Sequence, residues 1–200
     1  MFLSSSLVIG TPVQKVIYPD QSFSYSIDRQ TMPEAAVSAR KLLTEQGTGT
    51  IGTVFPADRP DDIAGSPFAL MEYQVPHPKD QSSLLLLLMP ISTSTKNILA
   101  SSSHEASFTV QNSKGRVDQE RVSLIGNVTL ERELTMAQDA LYTKHYLRLH
   151  PEAIAWLPSA PASPHVSYWA RLDPREVYYV GGFGDTKYIG WIDLDTWKNV

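Results

Sequence analysis

The chain has 200 residues, 42% of them apolar and 19% charged, with 11 Gly and 14 Pro; this excludes collagen-like, coiled-coil and disordered chains and fits one domain able to bury its own core. Cysteine is absent, which excludes zinc ribbons, Fe–S clusters, thiol nucleophiles and disulfide scaffolds. The 17 basic residues are scattered among 21 acidic ones, for a net charge of −4, and nucleic acid is excluded as a partner because phosphate binding needs clustered Lys and Arg.

Residues 1–30 mix Ser, Pro and Tyr with single apolar positions such as Val13, Val16 and Ile17. They show no sustained period, and an extended N-terminal arm is expected, followed by one domain over 31–200. The stretch from Met1 to Gly10 lacks the charged start and small-residue cleavage site of a secretory signal. A cytoplasmic location is therefore expected, with a secreted or vacuolar one as the alternative if a signal peptide has been removed.

At Thr31-Met-Pro-Glu34 the capping-box spacing and an early proline predict a helix start. Ala35, Ala36, Ala39, Leu42 and Leu43 then recur at helical spacing, and Gly47 is expected to end the helix. Thr48 to Phe55 alternates and is rich in β-branched residues, as a strand requires. A proline-containing loop leads to a second strand, Phe68 to Val75, which Pro76-His-Pro78 is expected to close. Leu84 to Met89, the longest apolar run, reads as a central strand covered on both faces. It is far short of the ~20 residues that cross a bilayer, so no membrane span is expected.

Ala106–Gln111 and Arg121–Glu131 are expected to pair across the polar loop at Asn112-Ser-Lys-Gly115, with Gly126 marking a bulge or barrel corner. Thr135 to Leu149 is read as the second main helix, facing inward through Met136, Ala140, Leu141 and Leu147, with Pro151 stopping it. Strands at Ser167–Leu172 and Glu176–Val180 follow, then Gly181-Gly-Phe-Gly184 and a last strand-like segment. This order predicts a small barrel with helices packed outside it.

Ala39-Arg-Lys-Leu-Leu43, Thr48-Gly-Thr-Ile-Gly-Thr-Val54 and Gly65-Ser-Pro-Phe68 resemble the opening of the pyridoxamine-5′-phosphate-oxidase-like split barrels. Pro90-Ile-Ser-Thr-Ser-Thr-Lys-Asn-Ile98 and Arg121-Val-Ser-Leu-Ile-Gly-Asn-Val128 are similar to later segments of the same family. His150-Pro-Glu152 and Trp197-Lys-Asn-Val200 resemble its CREG branch, and Tyr179-Val-Gly-Gly-Phe-Gly184 resembles its HugZ-type haem-binding branch. The resemblance implies a mainly β (α+β) fold, a six-stranded split β-barrel with flanking helices, and a homodimer with two clefts at the subunit interface. It further implies FMN in each cleft, with Ser94, Thr95 and Lys96 at the phosphate and Ser66 adding a hydroxyl. Such a protein would be an FMN-dependent oxidoreductase.

Hydroxyls beside a lysine suit a phosphate, although Ser92 to Lys96 reads equally as a polar cap to a short helix at Asn97. In the oxidases the strand matching Phe68 to Val75 supplies an arginine, whereas here it holds no basic residue and carries Glu72. That carboxylate opposes a phosphate unless it faces solvent. Two alternatives therefore stand beside FMN: a flavin-free interaction protein of the CREG type, and a haem protein.

Haem would be served by His165, in the Pro- and Ser-rich loop. None of the five histidines has metal-site spacing, and His145 and His150 are read as residues meeting a helix dipole. Gly181–Gly184 reads as a tight turn, and the Trp and Tyr residues of the last quarter as either an isoalloxazine wall or core and dimer interface. The Asn127-Val-Thr129 sequon falls inside a predicted strand and is read as a chance occurrence. No general base or nucleophile constellation is evident, so catalytic residues stay unassigned.

Overall fold

The computed structural model describes residues 29–161 and 163–200. The expected arm lies outside them, apart from Arg29 and Gln30. The first helix, α1 (Met32–Glu45), begins where the capping box places it. Thr31 accepts from the Glu34 backbone N–H, and the Glu34 carboxylate accepts from that of Thr31. Its five apolar positions are all buried as read. The helix ends on Gln46, not on a left-handed glycine. Gly47 serves a different need, since a Cβ there would lie 2.5 Å from the His150 ring.

Six strands of seven residues or more follow, with two short ones, which matches the six-stranded expectation. They are β1 (Thr48–Val54), β2 (Pro67–Tyr73), β4 (Asp80–Leu88), β5 (Glu105–Gln111), β6 (Arg121–Leu130) and β7 (Tyr168–Val180), with β3 (Val75–His77) and β8 (Ile189–Ile192). The order is β2-β1-β5-β6-β7-β4-β3, and β8 pairs with the second half of β7. The two edge strands, β2 and β3, are joined through Gln74 alone. The sheet thus curls back until its edges meet at one end by covalent chain and not by a ladder, and it stays unclosed.

Pro76-His-Pro78 was expected to stop the second strand. Instead the break falls at Gln74, whose amide donates to Leu43 O (2.8 Å) and Gln46 O (2.5 Å), and Val75–His77 pairs with β4 as a separate strand. Likewise β7 is one strand and not two. Pro174 is accommodated where the β6–β7 register shifts between Ile125 and Gly126. A Cβ on Gly126 would sit 1.9 Å from Asp173 O, so the predicted bulge requires glycine.

Between β4 and β5 runs α2 (Thr93–Ala100), and α3 (Met136–Tyr146) follows β6; a 3₁₀ turn over Pro151–Ala155 and α4 (Leu194–Lys198) complete the elements. The β4 leucines divide as read. Leu84, Leu86 and Leu88 enter the main core beneath α1, and Leu85 and Leu87 a second core with Tyr142, Tyr146 and Trp169. Each fully buried leucine contributes about 1.5–3 kcal/mol. The face assigned to α3 is corrected in part, Leu147 alone of the four expected residues packing on the second core. Met136 is 92% exposed, and Ala140 and Leu141 are exposed too, because the helix packs through Tyr142 and Tyr146.

Candidate functional site

On β2, side chains alternate, so Phe68, Leu70 and Glu72 share one face. On this edge strand Leu70 is left 54% exposed. At its end Glu72 lines a cavity of about 330 Å³. The other walls are Tyr73, Leu87 and Met89 from the sheet side, and Tyr146, Trp156 and His165 from α3 and the segment after it. The sequence left open whether Glu72 faces solvent; it faces this cavity.

Electrostatics in the cavity are negative. Burial pushes the Glu72 carboxyl above the usual carboxylate range, and its Oε1 accepts one hydrogen bond, from the Tyr73 N–H (3.2 Å). Tyr73 is raised by its hydrogen bond to the Glu152 carboxylate, then by burial and by the charges of Glu152 and Glu72. Tyr146 is raised by burial first and then by Glu72, Tyr73 and Glu152. Its hydroxyl is buried and without a partner among the described residues.

His150 stacks under Tyr73, with centroids 4.2 Å apart and rings 18° from parallel, and its Nε2 donates to Gln74 O (3.1 Å). His145 Nε2 donates to Pro76 O (2.9 Å), and burial lowers its pKa. Both histidines thus anchor the β2–β3 corner; His145 also stands in the last turn of α3, as the helix-dipole reading has it, whereas His150 lies beyond the helix end. Tyr73, Leu87, Met89 and Tyr146 escaped sequence reasoning as site residues. The i, i+4 spacing of Tyr142 and Tyr146 was the available signal, and it reads as core.

The four residues assigned to phosphate occupy two places. Ser66 is half-buried at the entry to β2. Ser94, Thr95 and Lys96 stand in the first turn and a half of α2, which therefore starts before Asn97. Lys96 is exposed, whereas Ser94 and Thr95 are each 1% exposed, with hydroxyls that have no partner among the described residues. The neighbours Pro67 and Asn97 line a second cleft of about 470 Å³ along with Thr53 and Arg175. There Asn97 Nδ2 donates to Thr53 Oγ1 (3.1 Å), and Arg175 pairs with Glu105 (2.7 Å).

These residues do not fit FMN well. Donors for a phosphate stand at the start of α2, but two of the hydroxyls are sealed from solvent. On β2 the row of Phe68, Leu70 and Glu72 holds a carboxylate and no cation, Phe68 lining the second cleft and Glu72 the cavity. No group of three metal-ligating side chains occurs among the described residues. The cavity has aromatic walls, an apolar floor and one desolvated carboxylate.

Elsewhere, Trp169 and Trp197 are core, Trp156 lines the cavity and Trp191 is 52% exposed on β8. Gly181–Gly184 is the turn between β7 and β8, tied by Gly181 N–H to Tyr188 O (2.8 Å). Asn127 lies in β6, its amide donating to Ser103 O (2.5 Å). No helix among the described residues is long and apolar enough to cross a membrane.

No curated protein matches the sequence. Among solved structures, the heme binding protein from Mycobacterium smegmatis aligns at TM-score 0.61 and 18% identity, over 85% of this chain and 61% of that one. Campylobacter jejuni ChuZ aligns at 0.64 and 12%, over 86% and 65%. The chain therefore spans somewhat under two thirds of both. A protein related to general stress protein 26, of the pyridoxinephosphate oxidase family, from Clostridium acetobutylicum aligns at 0.56 and 10%, over 82% and 96%. At such identities these likenesses establish the fold alone, and they agree with the curled, unclosed sheet. The family model "CREG, beta-barrel" matches residues 30–199. The chain belongs to the CREG β-barrel family.

Proposed function

We propose that this chain is a homodimeric, flavin-free split-barrel binding protein, not an FMN-dependent oxidoreductase. One observation carries the reading: the Glu72 carboxylate lines the cavity on the strand from which the oxidases supply an arginine. An anionic ligand in that cavity would meet like charge in a partly desolvated space, where Coulomb energies exceed their value in water several-fold.

Dimerisation is supported by the outer face of the sheet. Register places Met71, Thr50, Thr109, Ser123, Tyr178 and Trp191 in one row across β2, β1, β5, β6, β7 and β8. The row is hydroxyl-bearing at its centre and apolar at its ends, where Met71 is 70% exposed. A second copy laid on it would bury those ends.

The test is a titration of the purified protein with FMN, followed by flavin fluorescence. The flavin-free reading expects no saturable quenching. A second reading has one observation in its favour, the unpartnered Ser94 and Thr95 hydroxyls beside Lys96. In that reading FMN is held through Ser66, Ser94, Thr95 and Lys96. Saturable quenching that Lys96→Ala abolishes would establish it and overturn the first.

A further inference from the structure

The cavity beside β2 has a composition that selects for charge. We propose that it is a binding site for a small organic cation, an aryl or alkyl ammonium, held between the Glu72 carboxylate and the rings of Tyr73, Tyr146 and Trp156. The inference rests on the flavin-free reading, since an isoalloxazine in the same space would exclude it.

Four observations lead to this class of ligand. Glu72 is the one carboxylate among the cavity's lining residues, His165 is the one histidine, and no Lys or Arg stands with them. The Glu72 carboxylate receives a single backbone N–H and is partly stripped of water, so it is poised to gain from a positive charge. The field at the walls is negative as well, because the tyrosine hydroxyls sense both Glu72 and Glu152. Aromatic rings on several sides then add the attraction of their negative faces for a cation, which strengthens where water is excluded.

Other ligand classes fit less well. Anions meet the carboxylate. Metal ions lack ligands, as no group of three ligating side chains forms among the described residues. A purely apolar guest would leave the Glu72 carboxylate unpaired, and burying an unpaired charge is costly. With about 330 Å³, the space lies at the lower end of small-molecule sites. One ring bearing one ammonium group is of the right order.

The probes are benzylammonium, neutral benzyl alcohol and anionic benzoate, titrated calorimetrically and by tryptophan fluorescence into the full-length protein. Benzylammonium is expected to bind saturably, and at least about tenfold more tightly than either analogue, the discrimination typical of one charge-assisted contact. Glu72→Gln keeps the size and hydrogen-bonding capacity of the side chain, and is expected to weaken benzylammonium about tenfold without lowering the melting temperature. Trp156→Leu, at the cavity wall and away from the main core, is expected to weaken it less. Absence of benzylammonium binding, equal affinity for the three probes, or an unchanged affinity in Glu72→Gln would overturn the proposal. An FMN titration run alongside separates the two claims. FMN uptake counts against the flavin-free reading, while failure of benzylammonium alone counts against the cation site.

Discussion

Two residues in tight surroundings make the sharpest single-site predictions. At Gly126 the bulge brings the Asp173 carbonyl to 1.9 Å from where a Cβ would stand, and backbone cannot give way as a side chain can. Gly126→Ala is expected to destabilise by about 3 kcal/mol or more, read as a lowered denaturant midpoint. His77 is 1% exposed, its Nδ1 accepts from Lys79 N–H (3.3 Å), and its Nε2 donates to the Tyr142 hydroxyl (3.1 Å). Burial, reinforced by the nearby Arg171, lowers its pKa to about 4. The unfolded chain therefore binds the proton more readily than the folded one. Stability is complete above the unfolded-state pKa near 6.5 and falls as the pH drops from there toward about 4. Screening by the charged groups and solvent around the ring limits the loss to about 2 kcal/mol. Thermal melts between pH 7 and 4 should lose part of their slope in His77→Leu, and an unchanged slope would reject this assignment.

At the scale of elements, the structure explains which segments could be read from sequence. The α1 start was legible because a capping box is a local device, with Thr31 and Glu34 close in sequence. Thr31→Ala should cost about 1 kcal/mol, measurable by urea denaturation. The two-faced burial of β4 was legible because five consecutive leucines leave no polar side for water. The inward face of α3 was not, since the helix packs through tyrosines whose hydroxyls score as polar while their rings do the packing. Pro174 hid the continuity of β7, because a proline ordinarily breaks a ladder and only the glycine opposite lets the strand pass. Ser94 to Lys96 could be read as a polar segment, but their helical setting depends on how α2 packs against β1 and β2. The cavity was the least legible part. Glu72, Tyr146, Trp156 and His165 come from four separate segments that only the curl of the sheet brings together.

For the whole molecule, the row from Met71 to Trp191 on the outer face of the sheet ends in exposed apolar side chains, and the protein is expected to be a dimer through it. Light scattering should give twice the 22.2 kDa chain mass. The pair of changes Met71→Arg and Trp191→Arg, at exposed positions on two different strands, should return it to monomer without loss of folded structure. The central claim, however, concerns what the barrel holds. It is tested most directly by the visible absorption spectrum of protein purified without added cofactor, then incubated with FMN or haemin and desalted. A colourless protein in all three samples is predicted. Retained flavin bands, or a Soret band lost in His165→Ala, would contradict the account.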